Sequence, residues 1–166
     1  VRDRDLILSV CPAQHVRAIT RQWASSARSD AMVVSASKGI ETGTGQLISE
    51  VLVEELPSAL QPRLAFLSGP SFAREVAQGL PTVVVIAAED EALAERVQHL
   101  FACPTFRTYR STDVVGVEVG GALKNVMAIA TGICDGMGLG YNARAALITR
   151  GLVELTRMSV KLGGDP

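Results

Sequence analysis

Leu64-Ala65-Phe66-Leu67-Ser68-Gly69-Pro70-Ser71-Phe72-Ala73 runs from an apolar stretch through a tight Ser-Gly-Pro turn into the start of a helix. A short, unbroken apolar run bounded by turn residues predicts a strand covered on both faces, as in a parallel sheet. The same grammar lies on both sides of this segment. Upstream, Leu6–Val10 is an apolar run broken by Pro12, after which Val16, Ile19 and Trp23 recur at helical spacing. Ala31–Ser35 is a second run, followed by Lys38-Gly39, a turn at Gly43 and Gly45, and a helical stretch holding Leu47, Ile48, Val51 and Leu52. Downstream, Val83–Ala87 reads as a strand, and Asp90 can cap a helix whose Leu93, Val97, Leu100 and Phe101 share one face. Thr105–Tyr109 closes the series as a last strand. Such alternation predicts a doubly wound α/β sheet.

The pattern changes near Ser111-Thr112-Asp113, which divides the chain into residues 1–111 and 112–166. From Val114 to about Asp135 the sequence predicts one long helix, apolar on most sides and therefore buried. Gly136-Met137-Gly138-Leu139-Gly140 breaks it. Asn142 can cap a second helix, with Ile148, Leu152, Leu155 and Leu162 as its core-facing stripe. No linker rich in Pro or Ser separates the two parts, so they are expected to pack closely.

Composition excludes several classes of partner. The 166 residues are 48% apolar and 20% charged, with a formal net charge of −1 and no cluster of Lys and Arg. A basic footprint for nucleic acid or an anionic membrane is absent. Cys11, Cys103 and Cys134 are odd in number and widely spaced, and His15 and His99 lack neighbouring ligands. Neither a disulfide framework nor a metal site is expected, and reduced cysteines point to a cytoplasmic setting. No leader peptide is visible, and no uncharged apolar run reaches the length of about 18 residues that a membrane helix needs. The chain starts at Val1 without Met and ends at Gly163-Gly164-Asp165-Pro166, so both ends look cut.

Three segments could carry chemistry. Lys124 sits in Gly120-Gly121-Ala122-Leu123-Lys124-Asn125, within the long apolar helix. A buried ammonium must be paired or lose its proton readily, and could then exchange a proton with a carbonyl oxygen as charge develops there. Equally, its stem could lie on apolar neighbours with the amine in water. Thr131 and Asp135 fall near the same helix face and would line a cleft, while Gly116, Gly120 and Gly121 permit close approach of another element. Lys38, just past a predicted parallel strand, stands where ligands of open α/β sheets bind and could meet a phosphate or carboxylate. By position alone, an exposed loop lysine is the better reading. Ser71 could join free amides in holding an anion, or simply cap a short helix. Neither Gly43-Thr44-Gly45 nor the Gly136–Gly140 run has the context of a dinucleotide loop.

Taken in order, these segments resemble the bacterial-type NAD(P)-dependent glycerol-3-phosphate dehydrogenases. The resemblance rests on Ser37-Lys38-Gly39-Ile40-Glu41, on Leu67-Ser68-Gly69-Pro70-Ser71-Phe72-Ala73, on Gly116-Val117-Glu118 and Gly120 to Asn125, and on Asp135 to Gly151. It implies the second half of a doubly wound Rossmann-like domain followed by the first helices of an all-α substrate domain. It also implies an oxidoreductase that interconverts sn-glycerol 3-phosphate and dihydroxyacetone phosphate with NAD or NADP, supplying glycerol 3-phosphate for phospholipid synthesis.

By the same resemblance, Lys124 is the catalytic proton carrier and contacts substrate. Lys38 touches substrate and cofactor, Gly69 and Ser71 contact substrate, and Ala73 contacts the dinucleotide. Asn125 is a further contact in the cleft. The partner is a small molecule, with no nucleic acid and no membrane span, and a homodimer is left open. The family's Gly-rich phosphate loop should lie before Val1, and its Gly-Leu-Gly-Asp and Ser-Arg-Asn segments past Pro166, so these 166 residues alone are expected to turn over little. A ketopantoate reductase or 3-hydroxyacid dehydrogenase, and a non-catalytic fragment, stand as alternatives.

Overall fold

The computed structural model describes residues 1–166. Five strands form one sheet: β1 (Leu6–Ser9), β2 (Met32–Ser35), β3 (Leu64–Ser68), β4 (Thr82–Ala87) and β5 (Phe106–Ser111), in spatial order β1-β2-β3-β4-β5. Alternating side chains divide the sheet's apolar residues between two faces. On one face Ile7, Val33 and Phe66 meet helices α1 (Val16–Trp23) and α2 (Ile48–Glu55), which bury Val16, Ile48, Val51 and Leu52. On the other, Met32, Val34, Ala65, Leu67, Val84 and Ile86 meet Leu93, Ala94 and Val97 of α4 (Glu91–Phe101). Asp90 caps α4 as expected, its Oδ1 accepting from the Ala92 amide at 3.0 Å.

The sheet is mixed rather than wholly parallel. β1, β2 and β3 run parallel, as do β4 and β5, but β4 pairs antiparallel with β3. The link between β3 and β4 carries only α3 (Ala73–Ala77), a five-residue helix. A parallel crossover generally needs a full helix lying across the sheet, so this short link turns the chain back instead. β1 is also less covered than its apolar run predicts. Leu8 and Val10 are 43% and 68% exposed, because β1 lies at the sheet edge and α4 covers only the strands farther in.

Two long helices complete the chain, α5 (Val114–Gly136) and α6 (Gly140–Lys161). Asp113 caps α5 by accepting from the Gly116 amide at 2.8 Å. Burial of α5 differs from expectation: Val114, Glu118, Val119 and Cys134 are buried, whereas Val126, Ile129 and Ile133 face outward. A helix apolar all round needs neighbours all round, and α5 packs mainly on β3, β4 and α6. Its length and composition would also suit a membrane span, but these alone are weak evidence for one, and α5 packs on β3 and β4 of the sheet.

The expected stripe on α6 does not face a core either. Ile148, Leu152 and Leu162 are exposed, and the buried α6 positions are Gly151 and Ser159. α6 approaches α5 at its smallest residue, where any side chain on Gly151 would meet Met127. Asn142 does not cap α6, which begins two residues earlier at Gly140 without a side-chain cap.

The turn after β3 is the tightest joint in the sheet. Gly69 has φ +141°, and a Cβ there would stand 2.9 Å from the Val83 carbonyl oxygen and from the Val84 Cα. Both neighbours are backbone and cannot swing aside. Gly69→Ala is expected to destabilise the full-length protein by roughly 1–3 kcal/mol, the usual cost of forced backbone strain. Urea unfolding reads this directly; an unchanged midpoint would show that the turn is not strained.

Candidate functional site

β2 and β3 run parallel in register, Ser35 beside Phe66, so the segments that follow them emerge side by side. Open α/β sheets bind ligands at this carboxyl end. The segment after β2 carries Lys38 and the turn after β3 carries Gly69 and Ser71. Lys38 is half-buried rather than an open loop residue. Its Nζ donates to the Gly69 carbonyl at 2.8 Å and to Ser71 Oγ at 3.0 Å. Ser71 Oγ also donates to the Gly69 carbonyl at 3.3 Å, and the residue preceding α3 is Phe72, so Ser71 is not the helix cap. Burial, and then the positive charge of Lys124, push the Lys38 ammonium below the ordinary lysine range.

Lys124 reaches this place from α5. It is exposed, not buried, because α5 has already left the sheet's cover at that turn. Its Nζ donates to Asn125 Oδ1 at 2.8 Å. The docking of α5 depends on Gly121. A Cβ at that position would collide with Ser68 Oγ and lie 3.7 Å from Lys38 Cγ, so the helix backbone rests on the end of β3 and on the Lys38 stem. Gly120 meets nothing comparable.

Two cavities open at this end of the sheet, and Lys38 lines the larger. A larger one of about 640 Å³ is walled by apolar residues such as Leu8, Val10, Ala36, Leu67 and Phe101, with Lys38, Ser71 and Ala73 among its lining. A smaller one of about 240 Å³ is lined by Ser68, Gly69, Gly121 and Lys124. The five site residues read from the sequence thus divide, with Lys38, Ser71 and Ala73 on one side and Gly69 and Lys124 on the other. The Lys38 bond to the Gly69 carbonyl joins the two. Thr131 and Asp135 line neither of these cavities: Thr131 Oγ1 donates to the Met127 carbonyl at 2.8 Å, and Asp135 pairs with Arg144 at 3.3 Å.

Sequence reading missed two features behind the site. Arg17 binds Glu41, Glu54 and Glu55 at 2.9, 2.7 and 2.6 Å, fastening the loop after Lys38 to α1 and α2. Nothing in the spacing of these residues announces the cluster. Glu118 is 8% exposed, with Oε1 accepting from the Ser49 amide at 3.0 Å and Oε2 accepting from Ser49 Oγ. An acid in the most apolar part of the helix, three residues from Gly121, was the available signal, and it entered only as part of the motif Gly116-Val117-Glu118.

The architecture is that of a Rossmann-like α/β unit running into a helical region, with two lysines at the ligand end of the sheet. Comparison with known proteins names the family. Residues 1–94 match the model for the NAD-dependent glycerol-3-phosphate dehydrogenase N-terminus, and residues 113–166 match that for its C-terminus. The chain belongs to the NAD-dependent glycerol-3-phosphate dehydrogenase family.

It is 55% identical over 159 residues to the glycerol-3-phosphate dehydrogenase [NAD(P)+] of Syntrophotalea carbinolica, covering 96% of this chain and 48% of that protein. With the Leptospira biflexa protein of the same name, identity is 52% over 166 residues, all of this chain and 50% of that one. The crystal structure of glycerol-3-phosphate dehydrogenase from Coxiella burnetii superposes with a TM-score of 0.84 at 38% identity, covering 97% of this chain and 48% of the other. The chain therefore spans about half the length of the curated relatives it matches.

Burial raises the Glu118 carboxyl from 4.5 to about 7. Between those two values the folded protein holds a proton that the unfolded chain has released, so stability falls as pH rises through that window. Glu118→Gln, which stays neutral, is expected to flatten the fall and to gain on the order of 3 kcal/mol over the native protein above pH 7. Denaturant unfolding of both proteins from pH 5 to 8 tests this; parallel curves would contradict it.

Proposed function

We propose that the full-length protein containing this chain interconverts sn-glycerol 3-phosphate and dihydroxyacetone phosphate, using NAD or NADP. The observation that carries the reading is the meeting of Lys38, bound to Gly69 and Ser71, with the charge of Lys124 at the carboxyl ends of β2 and β3. The two ammonium groups repel one another, and an anionic substrate drawn to both relieves that repulsion. Family membership supports the choice of a phosphate-bearing carbonyl compound over ketopantoate or a 3-hydroxyacid.

The larger cavity fits part of a dinucleotide. Its apolar wall suits a flat ring, and Lys38, Ser71 and Ala73 offer a polar rim; its volume lies in the usual ligand range. The dinucleotide, when bound, would give a hydride to C2 of the substrate in reduction and accept one from it in oxidation. In our reading Lys38 and Ala73 hold the cofactor side, and Gly69, Ser71 and Lys38 hold the substrate. Lys124 donates a proton to the carbonyl oxygen in reduction and accepts it in oxidation. Its charge also offsets the negative charge that builds on that oxygen. The sequence has no Gly-x-Gly-x-x-Gly following a strand, so the cofactor phosphates are assigned to no residue here.

On this reading residues 1–111 belong to the dinucleotide-binding domain and 112–166 begin the substrate domain. The break between β5 and α5 supports that division. The product would feed phospholipid synthesis, in the cytoplasm. The exposed apolar residues of α5 and α6 leave surface for further packing, whether by the rest of the chain or by a second copy in a homodimer.

The test is oxidation of NADPH or NADH by the full-length protein with dihydroxyacetone phosphate. Lys124→Ala is expected to lower kcat by about a hundredfold or more, the usual share of a positioned acid. Lys38→Ala should act mainly on KM. A Lys124→Ala protein working at the native rate would refute the assignment.

A further inference from the structure

We infer that Glu118 is a positioning residue, which locks α5 onto the first turn of α2 and thereby sets where Lys124 stands relative to Lys38. The inference rests on the roles proposed above for those two lysines. Helix α2 begins without a side-chain N-cap. Its N-cap position is Leu47, which has no side-chain oxygen to take up the free amides of the first turn. Glu50 reaches back to the Leu47 amide at 2.7 Å. The Ser49 amide takes its acceptor from Glu118, 69 residues further along the chain, and the Ser49 hydroxyl binds the second oxygen of the same carboxylate. Glu118 is the only carboxylate side chain among the buried residues.

The placement of this contact matters more than its strength. Gly121 lies three residues past Glu118, about 4.5 Å along the axis, and seats α5 on Ser68 and the Lys38 stem. Lys124 follows three residues later. Two anchors on adjacent turns fix both the rotation and the translation of the helix, and Lys124 is the next side chain out. Beyond it α5 is largely open to solvent apart from its contact with α6, where Met127 meets Gly151. The partner of Glu118 is well chosen too. α2 follows directly on the loop that carries Lys38, and that loop is closed by a bridge between Ile40 and Leu47. One carboxylate therefore ties the element bearing one lysine to the root of the loop bearing the other. A misplacement of about 1 Å at a reacting group can cost about a hundredfold in rate.

The experiment uses the full-length protein and two readouts. The first is the yield of a Lys38–Lys124 cross-link with a short amine-reactive bifunctional reagent, measured by mass spectrometry. The second is kcat and KM with dihydroxyacetone phosphate. Glu118→Gln keeps both contacts, its amide oxygen accepting from the Ser49 amide and its NH2 donating to Ser49 Oγ; native cross-linking and kcat are expected. Glu118→Leu keeps the volume and loses both bonds; it should lose most of the cross-link and at least about tenfold in kcat, with KM little changed. Ser49→Ala removes one bond, should fall between the two, and decides the matter if Glu118→Leu does not fold. Should Glu118→Leu alter only the unfolding midpoint, leaving cross-link and kcat native, the role is merely structural and the inference is overturned. Should the native protein not reduce dihydroxyacetone phosphate, the functional reading fails on its own. The cross-link then still decides: loss in Glu118→Leu with retention in Glu118→Gln upholds the positioning role, and equal yields reject it.

Discussion

The close approach of α5 to the end of β3 is the constraint on which the rest of the structure turns. Gly121 leaves room for Ser68 and for the aliphatic stem of Lys38, and a larger residue would collide with the serine hydroxyl. Because β2 and β3 are parallel neighbours, the segments leaving them already lie together. The helix has only to settle on that junction to bring a second ammonium to the first. Glu118 completes the docking one turn earlier, where burial among apolar neighbours makes its ionised form costly and its hydrogen bonds to Ser49 worth keeping.

Much of the fold was legible in the sequence because its strands are short apolar runs and its helices repeat at 3.6 residues. β1, β2, β3 and β4 fall where those runs lie, β5 (Phe106–Ser111) overlaps the stretch Thr105–Tyr109 read as a last strand, and Asp90 caps α4 as read. Strand direction was not legible. Val83–Ala87 reads the same way in either direction, and only the shortness of the link from β3 turns it antiparallel. The burial of α5 and the stripe on α6 were misread for one reason. Apolar periodicity states what a helix could bury, whereas burial depends on neighbours, and here each helix has few.

The site was legible in part. Lys38, Gly69, Ser71, Ala73 and Lys124 could be named from a resemblance in motif order, yet spacing alone favoured an exposed loop lysine at 38 and a helix cap at 71. Their actual partners lie 31 and 33 residues apart along the chain, a separation that no local pattern encodes. Glu118 was hidden for the same reason, since Ser49 is 69 residues away. For Lys124 the apolar neighbours in sequence left a buried amine and a solvated one equally open. It is exposed because the sheet ends beneath it. What depresses the Lys38 ammonium is its own burial, followed by the charge across from it.

That last relation offers the most direct test of the account. The side-chain amine of Lys38 can be titrated by NMR in the full-length protein and in a Lys124→Met variant. A Lys38 pKa below the ordinary lysine range that rises when Lys124 loses its charge, while staying below the ordinary value because burial persists, is the predicted result. A Lys38 titration that does not move between the two proteins would contradict the claim that the two lysines share one site.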